Sequence, residues 1–168
     1  MTIAAPATQS VTSVEGRDLV LTRHINAPRE RVYRAWTDPA MIVKWFTPAP
    51  WTTAHAETDV RAGGSSLVTM RSPEGQEFPN RGVYLEVVPN AKLVMTNAYT
   101  SAWQPAELPE HGPQFFMTFI LTFEDEAGGT RYTARVRHWT IEDLKAHEQM
   151  GFHQGWPIAT EQLAALVE

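Results

Sequence analysis

The sequence contains no cysteine and no long apolar run. Without cysteine the chain can form no disulfide, no thiolate metal site and no cysteine nucleophile, and this composition fits a reducing compartment. No apolar stretch approaches the roughly 18 residues that a membrane-spanning helix needs, so membrane insertion is not expected. The opening residues "MTIAAPATQSVTSVEG" have neither a basic region nor a continuous apolar region, which argues against a signal peptide. We therefore expect a cytoplasmic protein.

Basic clusters and common catalytic motifs are also missing. The chain carries 14 Lys and Arg against 19 Asp and Glu, a net charge of −5, and no basic cluster that would bind nucleic acid. The patterns GxSxG, GxxxxGK[ST] and GxGxxG are absent, so nothing indicates a serine hydrolase, a P-loop enzyme or a dinucleotide-binding enzyme. A length of 168 residues suits one domain. We predict a disordered polar lead over residues 1–16 and a single domain over residues 17–168.

The stretch "HEQMGFHQGWPIATEQLAAL" carries two histidines on a helical pattern, but their spacing argues against a metal site. A zinc helix of the HExxH type needs its second histidine four residues after the first, and that position is Gly151. His147 and His153 are six residues apart, which places them on different sides of a helix with about 3.6 residues per turn. We expect neither a metal ion nor another cofactor.

Up to residue 139 the chain has the pattern of an antiparallel sheet that is interrupted early by two short helices. Residues 17–25 predict a first strand. The segment "PRERVYRAWTDPAMIVKWF" then changes to helical spacing, with Asp38 as N-cap and Pro39 as first residue of a second helix that ends near Phe46. Strand-like runs separated by turn residues follow at 51–60, 65–71, 78–88, 92–99, 114–125 and 131–139. The sequence thus predicts seven strands.

A long loop and a long helix complete the pattern. The segment "TSAWQPAELPEHGP" has three prolines and no period, which indicates a loop that could act as a lid. After a helical turn over residues 141–150, capped by Thr140, one apolar face runs along a main helix to about residue 166 and consists of Phe152, Trp156, Ala159, Leu163 and Leu166. Pro157 removes one backbone donor, so we expect a kink or a restart near Gly155.

Four segments carry a resemblance to a known family: "NAPRERVYRAWTDPAMIVKWFTP", "DVRAGG", "PNRGVYLEVVPNAKLVMT" and "HEQMGFHQGW". From about Asp18 to its end the chain resembles the small bacterial proteins similar to the activator of heat-shock protein 90 ATPase, within the START-like, Bet v allergen-like (SRPBCC) superfamily. This resemblance implies an α+β helix-grip fold, in which a curved antiparallel sheet of about seven strands wraps around a long C-terminal helix. The two short helices are expected after the first strand.

The same resemblance implies a function but no reaction. It points to a cavity between the long helix and the sheet that binds a small hydrophobic or aromatic molecule. Two alternatives stay open, a cavity enzyme of cyclase or hydratase type and a co-chaperone-like protein-interaction module. The expected partner is a small apolar or aromatic ligand, a homodimer is left open, and nucleic acid is not expected.

The candidate cavity residues are mainly aromatic, as the walls of ligand pockets commonly are. They are Trp36, Trp45, Phe46, Tyr84, Met95, Trp103, Phe119, His138, Phe152 and Trp156. A core role is favoured for Trp36 and Trp45, because each lies on the apolar side of an amphipathic helix, while both roles stay open for Trp156. No residue is assigned a catalytic role.

Strand alternation also predicts the direction of polar side chains on two strands. Alternation places His138 on the apolar face of the last strand, where a lone histidine is more often a hydrogen-bonded core residue than a ligand contact or a base. It also predicts that Tyr84 and Glu86 share one face of their strand. Which face points inward is left open, and an inward Glu86 would be a candidate acid or base.

Overall fold

The computed structural model describes residues 5–168, which form one antiparallel sheet and four α-helices. The strands are β1 Val11–Glu15, β2 Asp18–Ile25, β3 Thr52–Thr58, β4 Ser65–Arg71, β5 Glu77–Val88, β6 Lys92–Thr96, β7 Met117–Glu126 and β8 Gly129–His138. The helices are α1 Arg29–Thr37, α2 Pro39–Trp45, α3 Ile141–Gln149 and α4 Phe152–Val167. This order confirms the predicted α+β helix-grip class.

The sheet places the first and last long strands side by side. Its order is β1-β2-β8-β7-β6-β5-β4-β3, with antiparallel neighbours throughout. After β2 the chain crosses through α1 and α2 to the far edge and returns strand by strand. β8 therefore ends next to β2, where it pairs from Asp18↔Arg137 to Ile25↔Thr130.

The structure has one strand more than the seven predicted. This additional strand is β1, and it lies in the segment predicted as a disordered lead. That prediction is wrong for residues 11–15, which pair with β2 across a turn at Gly16, whose φ is +60°; residues 1–4 lie outside the described residues. Four of the five side chains of β1 are exposed, so apolar alternation gave no signal for a strand. The strand is held by backbone pairing and by polar contacts with α4, including a 2.9 Å hydrogen bond from Ser10 Oγ to Glu161 Oε1.

The corner between α1 and α2 follows from local sequence. The Asp38 carboxylate accepts a 3.0 Å hydrogen bond from the Ala40 N–H and so caps α2, as predicted. Trp45 is buried and donates from Nε1 to the Ala35 carbonyl oxygen at 2.9 Å, which joins the two helices. Gln162 of α4 donates from Nε2 to the Trp45 carbonyl oxygen at 2.8 Å. The corner is therefore fixed both within itself and against the long helix.

Alternation divides the sheet into an inner face, which packs on the helices, and an outer face. At the sheet centre the inner positions Leu21, Ala134 and Leu121 are opposite one another on β2, β8 and β7, and all three are fully buried. The intervening outer positions include Thr133 and Arg135, which are only partly buried. The hydrophobic core lies between the inner face and α1, α2 and α4.

Helix α4 packs on the inner face with its predicted apolar stripe. Phe152, Ala159 and Leu163 are buried, and Trp156 and Leu166 are partly buried. The helix is continuous from Phe152 to Val167, so the predicted restart near Gly155 does not occur. The helical conformation is interrupted earlier, at Gly151, which has a φ of +97° and separates α3 from α4. Among residues 5–168 no helix is both long and apolar enough to cross a bilayer.

A buried arginine fixes the C-terminal half of α4. Arg23 is an inner-face residue of β2, and its guanidinium group bonds to Glu161 at 2.9 Å and to Glu168 at 3.0 Å. The side chain of Arg23 is only 7% exposed, whereas both carboxylates keep some contact with solvent. The arginine needs these partners because an unpaired buried charge is costly. The ion pairs therefore set the position of α4 along β2.

We predict that Leu163→Asp removes a large part of the stability of the domain. Leu163 is 0% exposed, and the change deletes its buried apolar area and places a carboxylate in the core, a loss of about 3–5 kcal/mol or more out of a typical 5–15 kcal/mol. Urea unfolding of the parent and the variant measures the loss. Ala165→Asp, two residues along the same helix at an exposed position, is the control and should change stability little. Equal midpoints for Leu163→Asp and the parent would contradict the packing described above.

Candidate functional site

The N-terminal half of α4 carries one aromatic side chain, Trp156, that packs on the inner face of the sheet but is not fully covered. Trp156 stacks on Phe119 of β7 with 5.8 Å between ring centroids. Met95 of β6 is opposite Phe119 in the strand register. All three side chains are only partly buried, in contrast to the closed packing around Leu163. We call Met95, Phe119 and Trp156 the aromatic cleft.

Next to the aromatic cleft, β4 and β5 carry small or tethered side chains on the same face. Ser66 is opposite Gly82, and Val68 is opposite Asn80. A Cβ atom at Gly82 would lie 2.7 Å from the Thr96 carbonyl oxygen, so no larger residue fits there. The Asn80 amide is held by the Val68 and Phe78 carbonyl oxygens, each at 3.2 Å. Among these four positions only Val68 has an apolar side chain, and it is buried in a small cluster with Ile42 and Ala56.

A β-bulge decides which residues of β5 face inward. The register pairs Tyr84 with Met95 and then Glu86 with Val94, which leaves Leu85 as the extra residue. Tyr84 is therefore buried on the inner face, while Glu86 points outward and bonds to Lys92 at 3.1 Å. The prediction that these two residues share a face is wrong, because simple alternation ignores the extra residue. Burial raises the pKa of Tyr84 to about 12, so its hydroxyl keeps the proton at neutral pH.

The remaining candidate aromatic residues divide between the core and the surface. Trp36, Trp45 and Phe152 are buried, and Phe46 is partly buried with its ring edge-on to both tryptophans at 5.9 and 5.6 Å. Trp103, in contrast, is 52% exposed. It lies in a 3₁₀ turn within the predicted loop, and its ring would be 3.3 Å from a Cβ atom at Gly63. Trp103 thus contacts the turn before β4.

His138 faces inward, as predicted, and both of its ring nitrogens are hydrogen-bonded. Nδ1 lies 3.0 Å from the Arg17 carbonyl oxygen, and Nε2 lies 2.9 Å from Nδ1 of His147. The carbonyl can only accept, so Nδ1 of His138 carries a hydrogen. Nε2 of a neutral His138 then accepts from Nδ1–H of His147. Burial lowers the pKa of both histidines, that of His147 to about 3, with the neighbouring His138 and His153 rings adding to the effect on His147.

His147 was missed as a site residue because the sequence analysis considered it only as a metal ligand. The available signal was its spacing of three from Leu144, which places both residues on one face of α3, and the structure buries both. Its ring contacts Phe115 at 5.5 Å and Phe152 at 5.3 Å between centroids. Phe152 in turn contacts Trp156 at 5.4 Å. His147 therefore borders the aromatic cleft through Phe152.

Two surface cavities are lined mainly by outer-face residues. One of about 440 Å³ is lined by Thr22, His24, Glu126, Arg131 and Thr133 together with residues 5–7. Another of about 330 Å³ is lined by Arg17, Thr118, Arg137, His138 and Trp139. Neither lies between α4 and the sheet, so the cavity predicted there stays a prediction. Within residues 5–168 no group of three or more His, Cys, Asp or Glu side chains could hold a metal ion.

We predict that the buried histidine pair makes the protein sensitive to mild acid. The unfolded chain protonates the His147 ring below about pH 6.5, whereas the folded chain does so only near pH 3, so stability falls as pH drops through this window. Protonation of His147 in the unfolded chain should alone lower the free energy of unfolding by about 2 kcal/mol between pH 7.5 and pH 5. In His147→Asn the amide keeps a donor close to the position of Nδ1 but does not titrate. Between pH 7.5 and pH 5 the free energy of unfolding of this variant should therefore fall by about 2 kcal/mol less than that of the parent. Urea unfolding at both pH values measures the difference.

The control is the exposed His55, whose side chain is 55% exposed. His55→Asn should retain the parent's acid sensitivity, because this change leaves the buried His138–His147 pair unaltered. If the free energy of unfolding of His147→Asn fell as much as that of the parent between the two pH values, His147 would not be the source of the acid sensitivity.

Comparison with known proteins identifies a family. The model of the family "Activator of Hsp90 ATPase homolog 1-like protein" matches residues 26–168. This range contains the aromatic cleft, the β5 bulge and the His138–His147 pair. No curated protein matches the chain.

Solved structures of bacterial proteins agree with the family match. A crystal structure from Nitrosomonas europaea is 38% identical, with a TM-score of 0.84 over 91% of this chain and 96% of that one. One from Chromobacterium violaceum is 27% identical, with a TM-score of 0.72 over 90% and 97% of the two chains. An AHSA1-like protein from Aeromonas hydrophila, 21% identical with a TM-score of 0.66 over 90% and 95%, shares the fold. The chain belongs to the family of proteins similar to the activator of Hsp90 ATPase homolog 1, within the SRPBCC superfamily.

Proposed function

We propose that the protein binds a small hydrophobic or aromatic molecule between the N-terminal half of α4 and the sheet. One observation carries the proposal. Met95, Phe119 and Trp156 lie on the inner face, next to a closed core, yet remain partly exposed. Stacked aromatic rings bordered by a few polar groups are the usual lining of a site for a small apolar ligand.

The division of α4 into two halves supports this location. Around Leu163 and Val167 the inner face is closed, and Arg23 fixes the helix there. Toward the N-terminus, Gly151 separates α4 from α3, and Gly155 leaves the helix surface bare beside Pro48, whose ring lies 3.7 Å from a Cβ atom placed at Gly155. A guest at this end would cover apolar surface without disturbing the packed half.

An enzymatic role of cyclase or hydratase type receives less support from the polar groups that the sequence analysis selected. Both ring nitrogens of His138 are engaged by the Arg17 carbonyl oxygen and by His147. The Tyr84 hydroxyl, with its pKa raised to about 12, does not ionise at neutral pH. Neither group is placed as a proton acceptor for a substrate.

A protein-interaction role has one observation in its favour. Tyr99, Trp103 and Leu108 are exposed in the loop after β6, and the Tyr99 and Trp103 rings meet edge-on at 6.3 Å. Exposed apolar groups of this kind can mark a protein contact. They lie on the surface, outside the aromatic cleft, so the two roles can be tested separately.

We expect native mass spectrometry of freshly purified protein to show a bound small molecule, and Trp156→Ala to lower its occupancy. As a defined probe, 2-methoxynaphthalene should bind the parent in titration calorimetry and bind Trp156→Ala about ten-fold more weakly, because the variant loses apolar contact and stacking. Trp139→Ala is the matched control, since Trp139 is 46% exposed. It should retain the parent's affinity.

Absence of both a co-purified molecule and probe binding would contradict the proposed function. Equal weakening by Trp156→Ala and Trp139→Ala would place the binding elsewhere. Loss of a protein partner on Trp103→Ala, with small-molecule binding absent, would favour the interaction module instead. A homodimer and a cytoplasmic location stay predictions.

A further inference from the structure

We propose that the larger outer-face cavity, at the end of β2, binds a small zwitterion whose ammonium and carboxylate groups are neighbours, as they are in an α-amino acid. This site is separate from the aromatic cleft, and the proposal goes beyond the proposed function. The cavity has a volume of about 440 Å³, within the range of roughly 300–1,000 Å³ that is usual for ligand pockets.

The pairing of three strands brings opposite charges together at this cavity. His24 of β2 is opposite Arg131 of β8 in the strand register. Glu126 at the end of β7 approaches both of them: its Oε2 accepts a 2.7 Å hydrogen bond from Arg131 Nε, and its Oε1 lies 3.7 Å from His24 Nδ1. Thr22 and Thr133, also opposite each other, complete the polar lining. The lining is therefore polar and contains both a cation and an anion.

His24 is buried, and one of its ring nitrogens lacks a partner. The side chain is only 3% exposed, and Nδ1 has no hydrogen-bond partner among residues 5–168. Nε2 lies 3.0 Å from Asn26 Oδ1, which can only accept, so Nε2 of the neutral ring carries the hydrogen and Nδ1 has a lone pair. Two acceptors, Nδ1 and Glu126 Oε1, thus lie side by side. Such an arrangement is costly, and a positively charged donor on Oε1 would relieve it.

The guanidinium group of Arg131 provides the complementary half of the site. Its Nε is hydrogen-bonded to Glu126, whereas its two terminal nitrogens have no hydrogen-bond partner within the described part of the chain, residues 5–168. The side chain is half-exposed, so a ligand can reach these nitrogens from solvent. A guanidinium group binds a carboxylate through two parallel hydrogen bonds. The cavity can therefore hold an ammonium group and a carboxylate next to each other.

The balance of charge selects a ligand that carries both groups. With His24 neutral, the lining has one carboxylate and one guanidinium group, so neither a simple cation nor a simple anion is complementary to all of it. Residues 5–7, which are Ala-Pro-Ala, form an apolar part of the wall and would contact an aliphatic side chain. A divalent metal ion is a poorer occupant, because no group of three metal-binding side chains occurs in residues 5–168.

The test is an NMR titration of nitrogen-15-labelled protein at pH 7.5 with three probes of one carbon skeleton. They are L-leucine, 3-methylbutylamine, which lacks the carboxylate, and 4-methylpentanoate, which lacks the ammonium group. The backbone amide signal of His24 reports binding, since this N–H donates to the Ala7 carbonyl oxygen at 2.8 Å beside the cavity. Leucine should shift the signal with a saturable curve and bind about ten-fold more tightly than either other probe, because each of those lacks one charge-assisted contact.

Two variants should change the preference in opposite directions. Glu126→Gln should weaken the binding of leucine and of the amine about ten-fold and leave that of 4-methylpentanoate no weaker. Arg131→Gln should weaken the binding of leucine and of 4-methylpentanoate and leave that of the amine no weaker. Glu124→Gln is the matched control, because Glu124 is exposed and opposite Arg131 in the register but does not line the cavity. It should retain the parent's affinity for leucine within about two-fold.

Three results would overturn the proposal: no saturable shift of the His24 signal with leucine, equal affinity of the parent for leucine and the amine, or equal weakening of leucine binding by Glu126→Gln and Glu124→Gln. The second result would indicate a cation site only, and the third a general effect of surface charge. Each of them leaves the proposal for the aromatic cleft intact, because its probe and its variants are different.

Discussion

The burial of one face of α4 on the inner face of the sheet is the contact on which the rest of the structure depends. Leu163 and Val167 close the core from the helix side, and Leu21, Leu121 and Ala134 close it from the sheet side. Apolar burial is not directional, so it does not by itself fix the helix along its axis. The ion pairs of Arg23 with Glu161 and Glu168 fix the position of the helix along its axis.

Fixing one half of the helix has a consequence for the other half. Because the C-terminal half is both packed and paired, the N-terminal half can carry incompletely covered aromatic rings without loss of the fold. Trp156 lies in this half and stacks on Phe119 of β7, and His147 of α3 contacts Phe152 of the same half. The residues that fix the fold and those of the proposed site thus lie at different ends of the same helix, which is why single substitutions can test the proposed site separately.

Much of this organisation could be predicted from sequence. The two short helices, the apolar stripe of α4 and the inward direction of His138 follow from spacing and from the Asp38 cap, which are local properties. The β1 strand could not be predicted, because its exposed side chains give no apolar pattern and its pairing depends on β2 being present. Nor could the direction of Glu86, since the bulge at Leu85 appears only when β5 is aligned with β6.

The candidate site shows the same division. Sequence by itself determined the family, the order of the elements from β2 onward and the supply of aromatic residues, because these depend on residue type and periodicity along the chain. Helix periodicity already favoured the core for Trp36 and Trp45, which are buried, but only the tertiary structure decided that Trp103 lies on the surface and that His147 joins His138. The tautomer of His147 depends on the Arg17 carbonyl oxygen, which is far away in the chain and becomes its neighbour only through the pairing of β2 with β8. Such contacts between distant residues have no period in the sequence, so folding alone establishes them.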